Sequence, residues 1–168
     1  MAFEKIRLVV LDADGVLTDG ALFYGARGMH GKNFSVRDGL ALVLLRRAGI
    51  KTMILSGRKS GALAGRSNEL DVDFVFDGVR DKLAVLRKFC SEHGYTMKEI
   101  SYMGDDLPDI QVLKAVGFSA APGNAVSEVR NVVDFVATCN GGKGAVRELA
   151  EKILKGRGQW KDIVREYS

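Results

Sequence analysis

Asp12, Asp14 and Asp19 crowd the end of the stretch RLVVLDADGVLTDG, Arg7 to Gly20. Acids this close, directly after a run of branched apolar residues, repel one another unless a cation or a proton separates their charges. Three further groups able to do chemistry follow. Ser56, Gly57 and Arg58 come after KTMIL, Lys82 comes shortly after DFVFDG, and Gly104, Asp105, Asp106 and Asp109 stand in GDDLPD. Together these residue types suit a phosphate ester. Clustered carboxylates with few imidazoles nearby offer hard oxygen ligands, which select magnesium over zinc. One carboxylate facing phosphorus can act as nucleophile and form an aspartyl-phosphate, while a second, two residues on, protonates the leaving oxygen and later activates water. Ser56 and Lys82 would donate to the phosphoryl oxygens, Lys82 also screening the charge that builds between nucleophile and phosphate.

Such a constellation needs a scaffold that brings distant segments together. Short apolar runs predict strands at Arg7–Leu11, Lys51–Gly57, Asp73–Gly78, Ile100–Asp106, Gly117–Gly123 and Asp134–Ala137. Helical spacing predicts helices at Asp38–Ala48, Ser60–Glu69, Asp81–His93, Pro108–Ala115 and Gly144–Leu154, with Pro108 in a first turn that tolerates it. Strand and helix in alternation imply an α/β fold, a doubly wound, Rossmann-like parallel sheet. The exception is LTDGALFYGARGMHGKNFSV, Leu17 to Val36, where alternating apolar residues around a Gly-rich middle suit a β-hairpin flap after the first strand, with no separate cap domain. In open α/β sheets ligands bind beyond the carboxyl ends of the strands, so the residues after each strand should share one pocket. Each motif alone has a plain reading, as a turn, a helix cap or a solvated lysine. Their order along four successive strand ends is what carries weight.

The chain has 168 residues, 46% hydrophobic and 27% charged, which matches one ordinary domain, taken as residues 1–154, with a polar tail over 155–168. The net charge of +4 comes from scattered Lys and Arg, which argues against nucleic acid and favours small anionic substrates. Cys90 and Cys139 have no metal-type or redox spacing, and no charged-then-apolar leader opens the chain, so a cytoplasmic setting is expected. No apolar run is long enough to span a bilayer, so no membrane partner is expected. His30 and His93 read as a loop residue and a helix-end residue, and the cysteines as small core fillers.

DADGVLTDG, SGRKS, Lys82 and GDDLPD, in that order, resemble the four motifs of the haloacid dehalogenase superfamily over nearly the whole chain. FSVRDGLAL (Phe34 to Leu42), the hairpin in place of a cap, and NGGKGAVRE (Asn140 to Glu148) are similar to the phosphatases of 3-deoxy-D-manno-octulosonate 8-phosphate (KDO 8-phosphate) and their relatives acting on nonulosonate 9-phosphates. By that resemblance Asp12 is the nucleophile. Asp14 is the acid/base, its backbone carbonyl also binding Mg2+, and Asp105 is the third protein ligand. Asp106 and Asp109 become supporting carboxylates. The substrate is expected to be a sugar-acid phosphate. Arg58, Lys59 and Arg66 would place cations towards its carboxylate, with Gly57 also expected to touch the substrate and Arg147 near the mouth of the site. The nonulosonate enzymes are expected to carry Glu at the Arg58 position, so Arg58 favours KDO 8-phosphate. The resemblance also implies a homotetramer in which hairpins pack together, and the stripe Trp160, Ile163, Val164 and Tyr167 would carry the tail over its own or a neighbouring site. The weaker alternatives are a receiver-like domain and a domain that only holds an oligomer together.

Overall fold

The computed structural model describes residues 3–26 and 28–168. Its centre is β1 (Leu8–Leu11), four fully buried apolar residues. A strand covered on both faces reads as a continuous apolar run, and its alternate side chains feed two separate cores. Val9 and Leu11 point to one, Leu8 and Val10 to the other.

Around β1 run β4 (Lys51–Leu55), β5 (Phe74–Phe76), β6 (Ile100–Met103), β7 (Phe118–Ala121) and β8 (Phe135–Val136), following the hairpin strands β2 (Phe23–Gly25) and β3 (Gly28–Gly31). The six-stranded sheet has the order β5-β4-β1-β6-β7-β8 and is parallel throughout. From β1 the chain winds outward through β4 and β5, then returns to the other side of β1 for β6, β7 and β8. The carboxyl ends of β4, β1 and β6 therefore border the switch point where such sheets bind ligands. Helices α1 (Val36–Arg47), α2 (Gly61–Glu69), α6 (Ala145–Gly156) and α7 (Trp160–Arg165) close one face; α3 (Lys82–His93), α4 (Ile110–Leu113) and α5 (Ser127–Arg130) close the other. The doubly wound α/β architecture expected from the alternation is the one observed, and no separate cap is present among the described residues. None of their helices is long and apolar enough to cross a membrane.

The hairpin β2–β3 stands after β1 as expected, and a Thr18–Phe34 bridge closes its base. Arg27, inside the stretch read as the flap, lies outside the described residues, as do the first two residues of the expected domain. Two readings are corrected. The helix expected over Pro108–Ala115 is a 3-10 turn at Leu107–Asp109 followed by the single turn of α4, because the Asp109 carboxylate folds back to accept the N–H groups of Asp105 and Asp106. The tail is not wholly outside the core. Ile163 on α7 joins the α1/α6 cluster, and Trp160 packs beneath the cations of Arg147 and Lys155, while Val164 and Tyr167 stay exposed. Alternate polar residues disguise so short a helix in the sequence.

Candidate active site

Asp12 directly follows β1, and its N–H still pairs with the Met103 carbonyl of β6, so the sheet itself fixes this residue's backbone. The chain then makes one wide turn over Ala13–Leu17, closed by the Thr18 N–H on the Ala13 carbonyl at 3.1 Å. Gly15 sits in that turn at φ +79°, where a β-carbon would strike the Asp105 carboxylate. Glycine at this position is what lets the turn after β1 and the loop after β6 touch.

Lys82, the first residue of α3, reaches into the gap between those two strand ends. Its Nζ lies 2.9 Å from Asp12 Oδ2 and 2.7 Å from Asp109 Oδ1. Burial works against its charge, but Asp12 and Asp109 outweigh that and raise its pKa. Asp109 is satisfied on both oxygens. Oδ1 also accepts from Tyr102 Oη at 2.5 Å, and Oδ2 accepts from Asp105 N and Asp106 N. Burial, then the Asp109 charge, holds the Tyr102 phenol well above its ordinary pKa, so it remains a donor. Asp109 thus anchors Lys82 and caps the 3-10 turn at once.

Asp12, Asp105 and Asp109 bring carboxylate oxygens within 4.8 Å of one another. Among the described residues none makes an ion pair with Asp105, and its carboxyl is pushed up to about 7 by burial first, then by the charges of Asp12, Asp109 and Asp106. Burial followed by Asp109 likewise raises Asp12, against the opposing pull of Lys82. Anions destabilised in this way, in an all-oxygen donor set, fit a hard divalent cation such as magnesium. Since Lys82, Tyr102 and two backbone N–H groups already occupy Asp109, Asp12 and Asp105 are the carboxylates left to face a cation.

Ser56, Gly57 and Arg58, after β4, complete the walls of a cavity of about 420 Å³ that also receives Asp12, Asp14, Lys82, Asp105, Asp106 and Asp109. The Ser56 hydroxyl is held by its own turn, accepting from Arg58 N and donating to Arg58 O. Arg58 Nε lies 3.6 Å from Asp14 Oδ2, with most of its side chain in solvent at the mouth. Three residues expected near the substrate do not line this cavity. Lys59 lays its stem over Gly78. Arg66 pairs with Glu69 and donates to the Ser35 carbonyl, buttressing α1. Arg147 pairs with Glu151 and lies over the Trp160 ring.

The double glycine before α6 packs closely on backbone. Gly142 N donates to the Val16 carbonyl, and a β-carbon on Gly142 would collide with the Thr18–Asp19 backbone. Asp38 on α1 holds this loop from behind, its carboxylate accepting from Gly144 N at 3.0 Å and Arg147 N at 2.9 Å. Two residues of the site went unread in the sequence. Lys32, beyond β3, ion-pairs with Asp14 Oδ1 at 2.5 Å, and Arg80, before α3, lines the cavity without an ion-pair partner among the described residues. A lysine between the hairpin and the apolar Phe34, on the segment returning to the sheet, was the available signal for the first.

A model of the haloacid dehalogenase-like hydrolases matches residues 66–149. The chain is 40% identical to the 3-deoxy-D-manno-octulosonate 8-phosphate phosphatase KdsC of Haemophilus influenzae over 93% of its own length and 87% of that protein. It is 34% identical to the Escherichia coli K12 enzyme of the same name, over 93% and 83% of the two chains. Among solved structures, the phosphatase of Moraxella catarrhalis in complex with magnesium, phosphate and KDO superimposes with a TM-score of 0.96 at 35% identity, over 99% of this chain and 96% of that one. The cobalt-bound Haemophilus influenzae phosphatase gives 0.90 at 40% identity, over 94% and 92%. With the motif residues converging at the ends of β1, β4 and β6, this chain belongs to the haloacid dehalogenase-like hydrolase family.

Proposed function

We propose that this chain is a magnesium-dependent phosphomonoesterase that hydrolyses KDO 8-phosphate to KDO and phosphate through an aspartyl-phosphate. The observation that carries the reading is the buried Asp12–Lys82–Asp109 ion-pair system beside Asp105 at the switch point of the sheet. Its support in kind comes from relatives named as KDO 8-phosphate phosphatases across nearly the whole chain.

In the first half-reaction a carboxylate oxygen of Asp12 attacks phosphorus, and the bond from phosphorus to the sugar oxygen breaks as Asp14 gives that oxygen its carboxyl proton. In the second, water attacks the same phosphorus and passes a proton to Asp14. The bond to Asp12 breaks and phosphate leaves. Lys82 keeps the Asp12 oxygens and the phosphoryl group from repelling one another, while the Ser56 hydroxyl and the Gly57 N–H donate to phosphoryl oxygens. Asp12, Asp105 and the Asp14 carbonyl would hold magnesium, which when bound neutralises the carboxylates and polarises the phosphoryl oxygens. Asp106 and Asp109 support that set. Arg58 at the mouth offers the substrate carboxylate a bidentate partner.

The same reading takes residues 1–154 as one domain with 155–168 as its tail, and the assembly as a homotetramer in the cytoplasm. The exposed Phe23 and Tyr24 of the hairpin, apolar surface that another copy can cover, support the tetramer. Parallel kinetics with magnesium on KDO 8-phosphate and on a sialate-type 9-phosphate test the substrate. A higher kcat/KM for KDO 8-phosphate, abolished by a chelator and restored by magnesium, is expected. A preference for the 9-phosphate would move the reading to the nonulosonate enzymes, and absence of any phosphatase turnover, p-nitrophenyl phosphate included, would leave a receiver-like domain.

A further inference from the structure

The flap's return segment meets the catalytic turn residue by residue. Lys32 pairs with Asp14, Asn33 Nδ2 donates to Asp19 Oδ2 at 3.0 Å, and Phe34 bridges to Thr18. Of these, Lys32 is the costly one. Its side chain is fully buried, and a buried ammonium is tolerated only when paired. Among the described residues its ion-pair partner is Asp14 alone. A lysine needed only to fasten the flap gains nothing from ending on a carboxylate that lines the cavity. Asp14 keeps about a quarter of its side chain exposed, and its other oxygen faces Arg58, so Lys32 restrains one oxygen and leaves the second towards the cavity.

We propose that Lys32 is a positioning residue that holds the Asp14 carboxyl in place for both proton transfers, making the flap part of the acid/base apparatus rather than a cover alone. This rests on the reaction proposed above. Loss of the Lys32 contact lets the Asp14 side chain rotate, while Asp12, Lys82 and the attack on phosphorus stay as they are.

The two half-reactions separate this role from a structural one. With p-nitrophenyl phosphate the leaving phenolate needs no proton, so phosphorylation of Asp12 proceeds without Asp14, whereas hydrolysis of the phospho-enzyme still requires it. In rapid-quench experiments on the full-length protein with magnesium, Lys32→Met is expected to release one equivalent of p-nitrophenolate per site. It should then turn over at least about tenfold more slowly than wild type. On KDO 8-phosphate, whose alkoxide leaving group does need a proton, the loss should reach about a hundredfold. Lys32→Gln, which keeps an N–H donor, should fall between, and it stands in for Lys32→Met should the latter not fold. Wild-type rates on both substrates, or an equal loss on both with no burst at an unchanged melting temperature, overturn the proposal. Wild-type protein inactive on both overturns the reaction beneath it, a result distinct from any effect of Lys32.

Discussion

The Lys82 ammonium bridges Asp12 and Asp109, 2.9 Å from one carboxylate and 2.7 Å from the other, with all three side chains nearly buried. The bridge sets Asp12 beside a positive charge before any phosphate arrives. Lys82→Met removes it, and kcat for p-nitrophenyl phosphate is expected to fall by about a thousandfold. In the metal-free protein the two buried carboxylates lose the cation between them, costing about 3 kcal/mol in a urea titration. Near-wild-type turnover would mean that the bridge is structural only.

Tyr102 supports the same arrangement from below without touching the cavity. Tyr102→Phe removes the hydroxyl donor to Asp109 Oδ1 but leaves Lys82 and two backbone N–H groups in place. Stability should drop by about 1 kcal/mol and kcat by less than about tenfold. If Tyr102→Phe proves as inactive as Lys82→Met, Asp109 is held chiefly by the phenol, and Lys82 is the lesser of its two side-chain partners.

Much of this site was legible in the sequence, because residues following parallel strands must share one crevice whatever the rest of the chain does. Asp12, Ser56, Lys82 and Asp105 could be gathered on that ground. Tyr102 was hidden because a phenol inside an apolar strand looks like core until its hydroxyl finds Asp109. Arg66 and Arg147 were expected near the substrate from their place in the chain, but which way a helix turns its face depends on packing that spacing does not encode. Lys32 follows a hairpin, on a segment whose register against the turn after β1 is set by long-range contacts.

The packing of Gly142 against the catalytic turn has its own consequence. Gly142 adopts φ +63°, and a side chain there would press on the Thr18–Asp19 backbone. Gly142→Ala should therefore lower stability by at least about 1 kcal/mol and reduce kcat as the turn after Asp12 shifts. Circular dichroism melts and turnover measured on the same preparation check this. Wild-type values in both would show that the loop yields freely.

Glu148, on α6, gives the fold an acid-sensitive contact away from the chemistry. Burial opposes its charge, but hydrogen bonds from Cys139 and Thr138 hold its carboxyl at about 2, against an ordinary value of 4.5. A depressed carboxylate pKa adds stability that is fully present above the ordinary value and is lost as pH falls towards the folded one. Between pH 4.5 and 2 the wild type should lose more stability than Glu148→Gln, whose amide does not titrate. Parallel acid-denaturation curves for the two proteins would contradict it.

The claim on which all of this depends is that Asp12 carries the phosphoryl group. In Asp14→Asn, attack on phosphorus is retained and hydrolysis of the intermediate is impaired, so acid-quenching the variant during turnover of p-nitrophenyl phosphate with magnesium should trap the adduct. Mass spectrometry of the peptides is expected to place one phosphoryl group on Asp12, and Asp12→Asn should show neither adduct nor turnover. A phosphoryl group on another residue, or turnover retained in Asp12→Asn, would contradict the account.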